Sequence, residues 1–160
     1  MSDVTTVHNT FVIERTFAAA PAKVFAAFAN DATKRRWFLE GLGERVLEIG
    51  FKGDFRVGGT ERSFSVFAGG PKGAPPAGTK FRNETTYFDI VPNARIVFAY
   101  TMAMGERCIS ASLATVQLEP SGEGTRLVFT EQAAFFMPSD GAVMREDGWR
   151  QLFDQLAKVV

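Results

Sequence analysis

Glu131 is the residue of this sequence whose surroundings best suit acid–base chemistry. Leu127, Phe129 and Phe135 lie around it at multiples of two positions, so a β-strand would place its carboxyl group on an apolar face. Burial disfavours the charged form of a carboxyl group and raises its pKa, which suits a general acid or base. A carboxylate that pairs with an arginine or a buried water fits the same pattern, and we favour that structural role.

Tyr100 and Glu84 are two further polar residues that strand alternation places on inward faces of the predicted sheet. With Glu131 they could hydrogen-bond a ligand, because pockets usually orient an apolar molecule with a few convergent polar groups. No residue is assigned a catalytic role. The candidate ligand-binding residues are these three and a set of large apolar side chains: Phe55, Phe64, Phe88, Phe98, Met102, Phe129, Trp149 and Phe153.

Residues suited to nucleophilic or metal chemistry are sparse. His8 is the single histidine and Cys108 the single cysteine, so neither a histidine-based triad nor a zinc site can be assembled. We therefore expect no metal and no cofactor. Cys108 has no histidine or lysine beside it, and we interpret it as a small core residue rather than a reactive thiol. The pairs Gly58-Gly59 and Gly69-Gly70 lack the lysine of a phosphate loop and are interpreted as turns.

The composition excludes several classes of partner. Lysine plus arginine equals aspartate plus glutamate, at 18 each, so no net charge attracts nucleic acid or an anionic membrane. No leader or membrane-spanning segment is recognisable, and a single cysteine suits a reducing compartment. We expect a soluble cytoplasmic protein, and the sequence leaves open whether it forms a homodimer. The 16 phenylalanines fit a filled core or a ring-lined pocket.

The C-terminal segment from Ser139 to Val160 is the element that must position the candidate ligand-binding residues. Ser139 and Asp140 are good helix caps, and the residues after them have helical periodicity. Gly148 interrupts this helix, either to let the sheet approach or to leave pocket volume beside Trp149. Its apolar stripe comprises Trp149, Leu152, Phe153, Leu156 and Val160.

The preceding residues supply a sheet for this helix to cover. Thr10 to Phe17 is interpreted as the first strand, and two short helices follow, one beginning at Pro21 and one capped by Asn30 or Asp31. Short connections between the later strands indicate an antiparallel meander. These six predicted strands are Phe51 to Val57, Thr60 to Phe67, Thr79 to Val91, Arg95 to Met104, Arg107 to Glu119 and Thr125 to Phe136. We predict one α+β domain over residues 1–160, a curved antiparallel sheet of about seven strands gripping a long C-terminal helix.

Several motifs occur in this order along the chain. They are FVIERTFAAAPAKVFAAFAN at Phe11–Asn30, RRWF at Arg35–Phe38, DFRVGG at Asp54–Gly59, YFDIVPNARIVFAY at Tyr87–Tyr100 and TRLVFTEQAAFF at Thr125–Phe136. The sequence resembles the START, birch-pollen-allergen and polyketide-cyclase superfamily (SRPBCC), in the branch named for activators of the heat-shock protein 90 ATPase. That resemblance implies a helix-grip fold whose cavity takes an apolar or aromatic small molecule, and it carries over no catalytic residue.

These observations support three functional hypotheses. The first is a binding protein for a hydrophobic or aromatic small molecule, which would enter near the loop Gly69–Gly78 and lie against Trp149. The second is a cyclase, dehydratase or hydrolase that uses Glu131, Tyr100 or Glu84 in acid–base catalysis. The third is a partner-binding module of the co-chaperone type, although the chain has no room for the additional chaperone-binding domain of the name-giving proteins.

Overall fold

The strands form one curved antiparallel sheet. The computed structural model describes residues 4–160. Its strands are β1 (Thr6–Phe17), β2 (Val46–Lys52), β3 (Thr60–Phe67), β4 (Lys80–Val91), β5 (Arg95–Met104), β6 (Arg107–Ser121) and β7 (Gly124–Phe136). Strands β2 to β7 pair with their neighbours along the chain, and β1 pairs with β7, so the sheet order is β1-β7-β6-β5-β4-β3-β2. The predicted α+β helix-grip fold is confirmed.

The helices cover the inner face of this sheet. They are α1 (Pro21–Ala29), α2 (Asp31–Phe38) and α3 (Gly141–Ala157), with a 3₁₀ segment over Glu40–Arg45. Pro21 occupies the first turn of α1, and Asn30 caps α2 by accepting a hydrogen bond from the backbone N–H of Thr33 at 2.9 Å. None of the helices within residues 4–160 is both long enough and apolar enough to cross a membrane.

The core lies between the sheet and α3. Phe153 and Leu156 of α3 are fully buried and belong to the same apolar cluster as Ile13, Leu127 and Phe129 of the sheet. The predicted apolar stripe of the C-terminal helix therefore packs on the sheet. Asp140 stands at the start of α3 without capping it, because its carboxylate accepts hydrogen bonds from Arg145 instead.

The second strand was predicted about five residues too late. β2 ends at Lys52, and residues 53–59 form the connection to β3, in which Gly58 has φ 81°. A Cβ added at Gly59 would lie 2.0 Å from the carbonyl oxygen of Asp54, so this tight turn requires glycine. Phe55 suggested a strand by alternation, but its ring packs against Phe25 and Tyr87 from the turn.

A β-bulge reverses the faces predicted for β4. The pairing of β4 with β5 shifts register between Tyr87 and Asp89, so Phe88 is an extra residue that changes the phase of alternation. Tyr87 is buried, whereas Phe88 is 58% exposed. The prediction that Glu84 and Phe88 face the interior is wrong. It assumed that residues two apart share a face all the way from Ile90 to Glu84, and the extra residue in the bulge breaks this rule.

A second bulge explains the position of Cys108. The pairing of β5 with β6 shifts register beside Ala103 and Cys108, and the consecutive residues Ile109 and Ser110 are both buried. Cys108 is exposed, so its interpretation as a core residue is wrong.

Candidate functional site

A cleft of about 290 Å³ lies between α3, the 3₁₀ segment and the inner face of strands β3 to β5. Its apolar walls include Phe38, Phe81, Met102, Trp149 and Leu152. The volume is at the small end of the range of about 300–1,000 Å³ usual for ligand pockets. Its size suits a molecule of one or two fused rings.

Gly148 of α3 lies at the exposed rim of this cleft. It lines the cleft, and a Cβ built on it meets no atom within 4 Å. Of the two interpretations of this glycine, close approach of the sheet has no support, because nothing approaches its missing side chain. The open space beside Trp149 agrees with the second.

The structure divides the predicted ligand-binding residues into three groups. Tyr100, Met102 and Trp149 line the cleft. Phe64 and Glu84 lie on the outer face of the sheet, where Phe64 is opposite Arg82 and its ring is 4.2 Å from the Lys80 ammonium. Phe88 lies exposed on that side as well. The remaining five are core residues behind or beside the cleft: Phe55, Phe98, Phe129, Glu131 and Phe153.

Glu131 is enclosed by donors from the protein. Its side chain is fully buried, which confirms the prediction that it faces inward. Its Oε1 accepts hydrogen bonds from the Tyr100 hydroxyl at 2.6 Å and the Trp149 indole at 2.9 Å, and Oε2 accepts one from Ser112 at 3.2 Å. Burial raises the pKa of Glu131 above its ordinary value, although these donors and Arg145 act in the opposite direction.

Arg145 completes this buried network from the first half of α3. Its Nη1 lies 3.6 Å from Glu131, and its Nε donates to Asp140 at 2.8 Å. The same guanidinium donates to Tyr100 at 3.1 Å and Ser110 at 2.8 Å. Arg145 precedes Trp149 by one helical turn, so both residues connect α3 to the carboxylate on β7.

A second buried cluster connects α2 to β3 and β4. Lys34 Nζ lies 2.8 and 2.7 Å from the two carboxylate oxygens of Glu61, and the Tyr87 hydroxyl donates to Glu61 at 2.5 Å. All three residues are at least 95% buried. Burial lowers the pKa of Lys34, but the Glu61 carboxylate and the Tyr87 hydroxyl together outweigh this and raise the pKa above its ordinary value. Neither Lys34 nor Glu61 was predicted as a buried residue.

Both tyrosines of the chain belong to these clusters. Burial raises the pKa of Tyr87 to about 12, and burial with the charge of Glu131 raises the pKa of Tyr100 as well. The ordinary value is near 10. Since each folded-state pKa exceeds its unfolded value, the associated stability is present below pH 10. The contribution of Tyr87 is lost as the pH rises through about 12, and that of Tyr100 is likewise lost in the alkaline range.

We therefore expect almost no tyrosinate absorbance from the folded protein at pH 10 to 11. The same protein in urea should titrate near pH 10. An ultraviolet titration of native and denatured samples measures both curves. A tyrosinate signal near pH 10 from protein that is still folded would contradict the buried hydrogen bonds.

Three polar groups of the cleft belong to the network around Glu131. Tyr100, Arg145 and Asp140 line the cleft but are engaged with each other or with Glu131. Arg45 at its mouth donates to Gln151 at 2.8 Å and forms no ion pair within residues 4–160. In that part of the chain, no group of three or more His, Cys, Asp or Glu side chains could hold a metal ion.

The loop Gly69–Gly78 does not line the cleft, but the strands that it joins do. Ser65 precedes it on β3 and Phe81 follows it on β4, and both line the cleft. The loop therefore stands beyond one end of the cleft.

Comparison with known proteins identifies the family of this fold and cleft. Residues 18–160 match the model of the family described as Activator of Hsp90 ATPase homolog 1-like protein. The chain belongs to this family. The match covers both buried clusters and the entire cleft, so the resemblance drawn from the sequence motifs is confirmed. Among curated proteins, none matches the chain significantly.

Solved structures with the same fold extend over nearly the whole chain. A protein from Rhizobium loti is 47% identical, with a TM-score of 0.81 and 98% of this chain and 99% of that chain covered. A protein from Rhizobium leguminosarum is 39% identical, with a TM-score of 0.81 and coverage of 97% and 95%. A protein from Chromobacterium violaceum, at 24% identity and a TM-score of 0.71 with coverage of 95% and 96%, shares the fold.

Proposed function

We propose that the protein binds an apolar or aromatic small molecule in the cleft between α3 and the sheet. The observation that carries the proposal is the open space at Gly148 beside the ring of Trp149. A glycine inside a helix costs about 1 kcal/mol relative to alanine, and here no neighbouring atom requires it. A guest molecule would explain why this position has no side chain.

The walls of the cleft favour a ring-shaped guest. Trp149 packs against Phe129 at 4.4 Å between ring centroids and against Phe38 at 6.1 Å, so its ring is held in one orientation. Burying about 150 Å² of ligand surface and a similar area of the cleft contributes roughly 7 kcal/mol before the costs of association.

Gly148→Leu provides the direct test, because the leucine would occupy the space assigned to the ligand. We expect this variant to bind the bicyclic hydrocarbon indane at least tenfold more weakly, as measured by calorimetric titration. Its melting temperature should rise by a few degrees, since leucine is the better helix former by roughly 0.8 kcal/mol. Loss of binding would then not result from loss of folding.

Ala157→Leu is the matched control. It places the same side chain on α3 at an exposed position away from the cleft, and it should bind indane as the wild type does. Equal binding by wild type and Gly148→Leu would contradict the proposed site. No binding of any aromatic probe by the wild type would contradict the proposed function.

Acid–base catalysis has less support from these contacts. Glu131 does not line the cleft, and its carboxylate already accepts three hydrogen bonds and faces Arg145. Tyr100 donates its only hydroxyl proton to Glu131. A proton transfer to a guest would have to break this network first.

A further inference from the structure

One corner of the cleft contains polar groups without partners. Asn83 lines the cleft, and its Oδ1 is buried without a hydrogen bond from the described residues 4–160. Ser63 stands directly opposite Asn83 on β3 and does not itself line the cleft. It is 5% exposed, and its hydroxyl has no hydrogen-bond partner within residues 4–160 either. A buried polar group without a partner destabilises the folded state, so two such groups side by side require an explanation.

Ser65 extends this corner along the same face of β3. It lines the cleft two residues beyond Ser63, and its hydroxyl makes no hydrogen bond with the described part of the chain. The polar groups on the other side of the cleft differ in this respect, because Tyr100 and Arg145 are hydrogen-bonded to protein groups. The buried polar atoms without a partner in the described residues are therefore those of Asn83 and Ser63, and the half-buried Ser65 hydroxyl lies next to them in the cleft.

We propose that this corner binds a neutral hydroxyl group of the ligand, so that the ligand is a hydroxylated aromatic molecule such as a phenol. The inference rests on the proposed function. An amide and a serine hydroxyl each offer a donor and an acceptor, and a hydroxyl group satisfies both. A carboxylate would be less well placed, because the nearby Arg145 is already paired with Asp140 and Glu131 and a buried charge without a partner is costly.

The test compares indane with its phenolic derivative, two probes of nearly the same shape that differ in one hydroxyl group. Calorimetric titration of the wild type should show the phenol binding about tenfold more tightly. In Asn83→Leu the two probes should bind equally, with indane retained. The melting temperature of this variant should not fall, because it removes a buried amide oxygen that has no partner within residues 4–160. Ser65→Ala should reduce the preference for the phenol without affecting folding.

Glu84→Leu is the matched control, since it places a leucine one residue along β4 on the outer face. It should keep the wild-type preference. If wild type binds both probes equally, or if Asn83→Leu and Ser65→Ala keep the full preference, the hydroxyl assignment is wrong while the proposed function stands. Tighter binding of the carboxylate derivative of indane than of the phenol would also overturn it and would point to Arg45. If neither probe binds the wild type, both proposals are wrong.

Discussion

Arg145→Ala should lower the free energy of unfolding by about 3–5 kcal/mol, because it leaves the buried carboxylate of Glu131 without its cation. Glu131 is fully buried, and Asp140 accepts two hydrogen bonds from Arg145. For a protein of this length the loss corresponds to a melting temperature lower by roughly 10 °C. Denaturant titration followed by tryptophan fluorescence measures the change.

Arg126→Ala is the matched control for this prediction. Arg126 also contacts two carboxylates, Glu14 and Glu119, each at 2.7 Å, but its side chain is 40% exposed. Water solvates all three groups after the substitution, so the stability of Arg126→Ala should remain close to that of the wild type. Equal losses in the two variants would show that the network around Glu131 is no stronger than a surface ion pair.

Lys34→Ala should have an effect of similar size, about 3–5 kcal/mol, because it leaves Glu61 charged and buried. The ammonium group also lies 5.2 Å from the centroid of the Phe38 ring. Lys23→Ala, at an exposed position of α1, is the control and should be nearly neutral. Thermal unfolding of the two variants provides the comparison.

The double variant Lys34→Met/Glu61→Leu tests the reason for this loss. Replacing both charges by apolar side chains of similar size removes the desolvation penalty together with the attraction. We expect the double variant to be more stable than Lys34→Ala. A double variant no more stable than Lys34→Ala would contradict this explanation.

The fold could be predicted from the sequence because helical stripes and turns are determined by residues that are close together along the chain. The stripe from Trp149 to Leu156 and the turns between β4 and β7 require only neighbouring residues to be recognised. The faces of β4 were wrong because the bulge at Phe88 depends on pairing with β5. Such a shift in register leaves no mark in the alternation of a single strand.

The burial of Arg145 and Lys34 was not predicted, because lysine and arginine side chains usually lie at the protein surface. A positional pattern was nevertheless present. Arg145 lies four and eight residues before Trp149 and Phe153, on the same face of α3, and Lys34 lies three residues before Trp37 on α2. Asn83 could not have been found in this way, because its lack of partners is a property of the packed cleft.

The most direct test of ligand binding in the cleft is an NMR titration that follows the indole N–H signals of the two tryptophans. Trp149 lines the cleft, whereas Trp37 is buried behind Phe38 and donates to the carbonyl of Ala27 at 2.9 Å. A Trp37→Phe variant assigns the two signals. On addition of the phenolic derivative of indane, we predict that the Trp149 signal shifts and saturates while the Trp37 signal stays in place. A Trp149 signal that does not move, or a shift confined to Trp37, would contradict binding in this cleft.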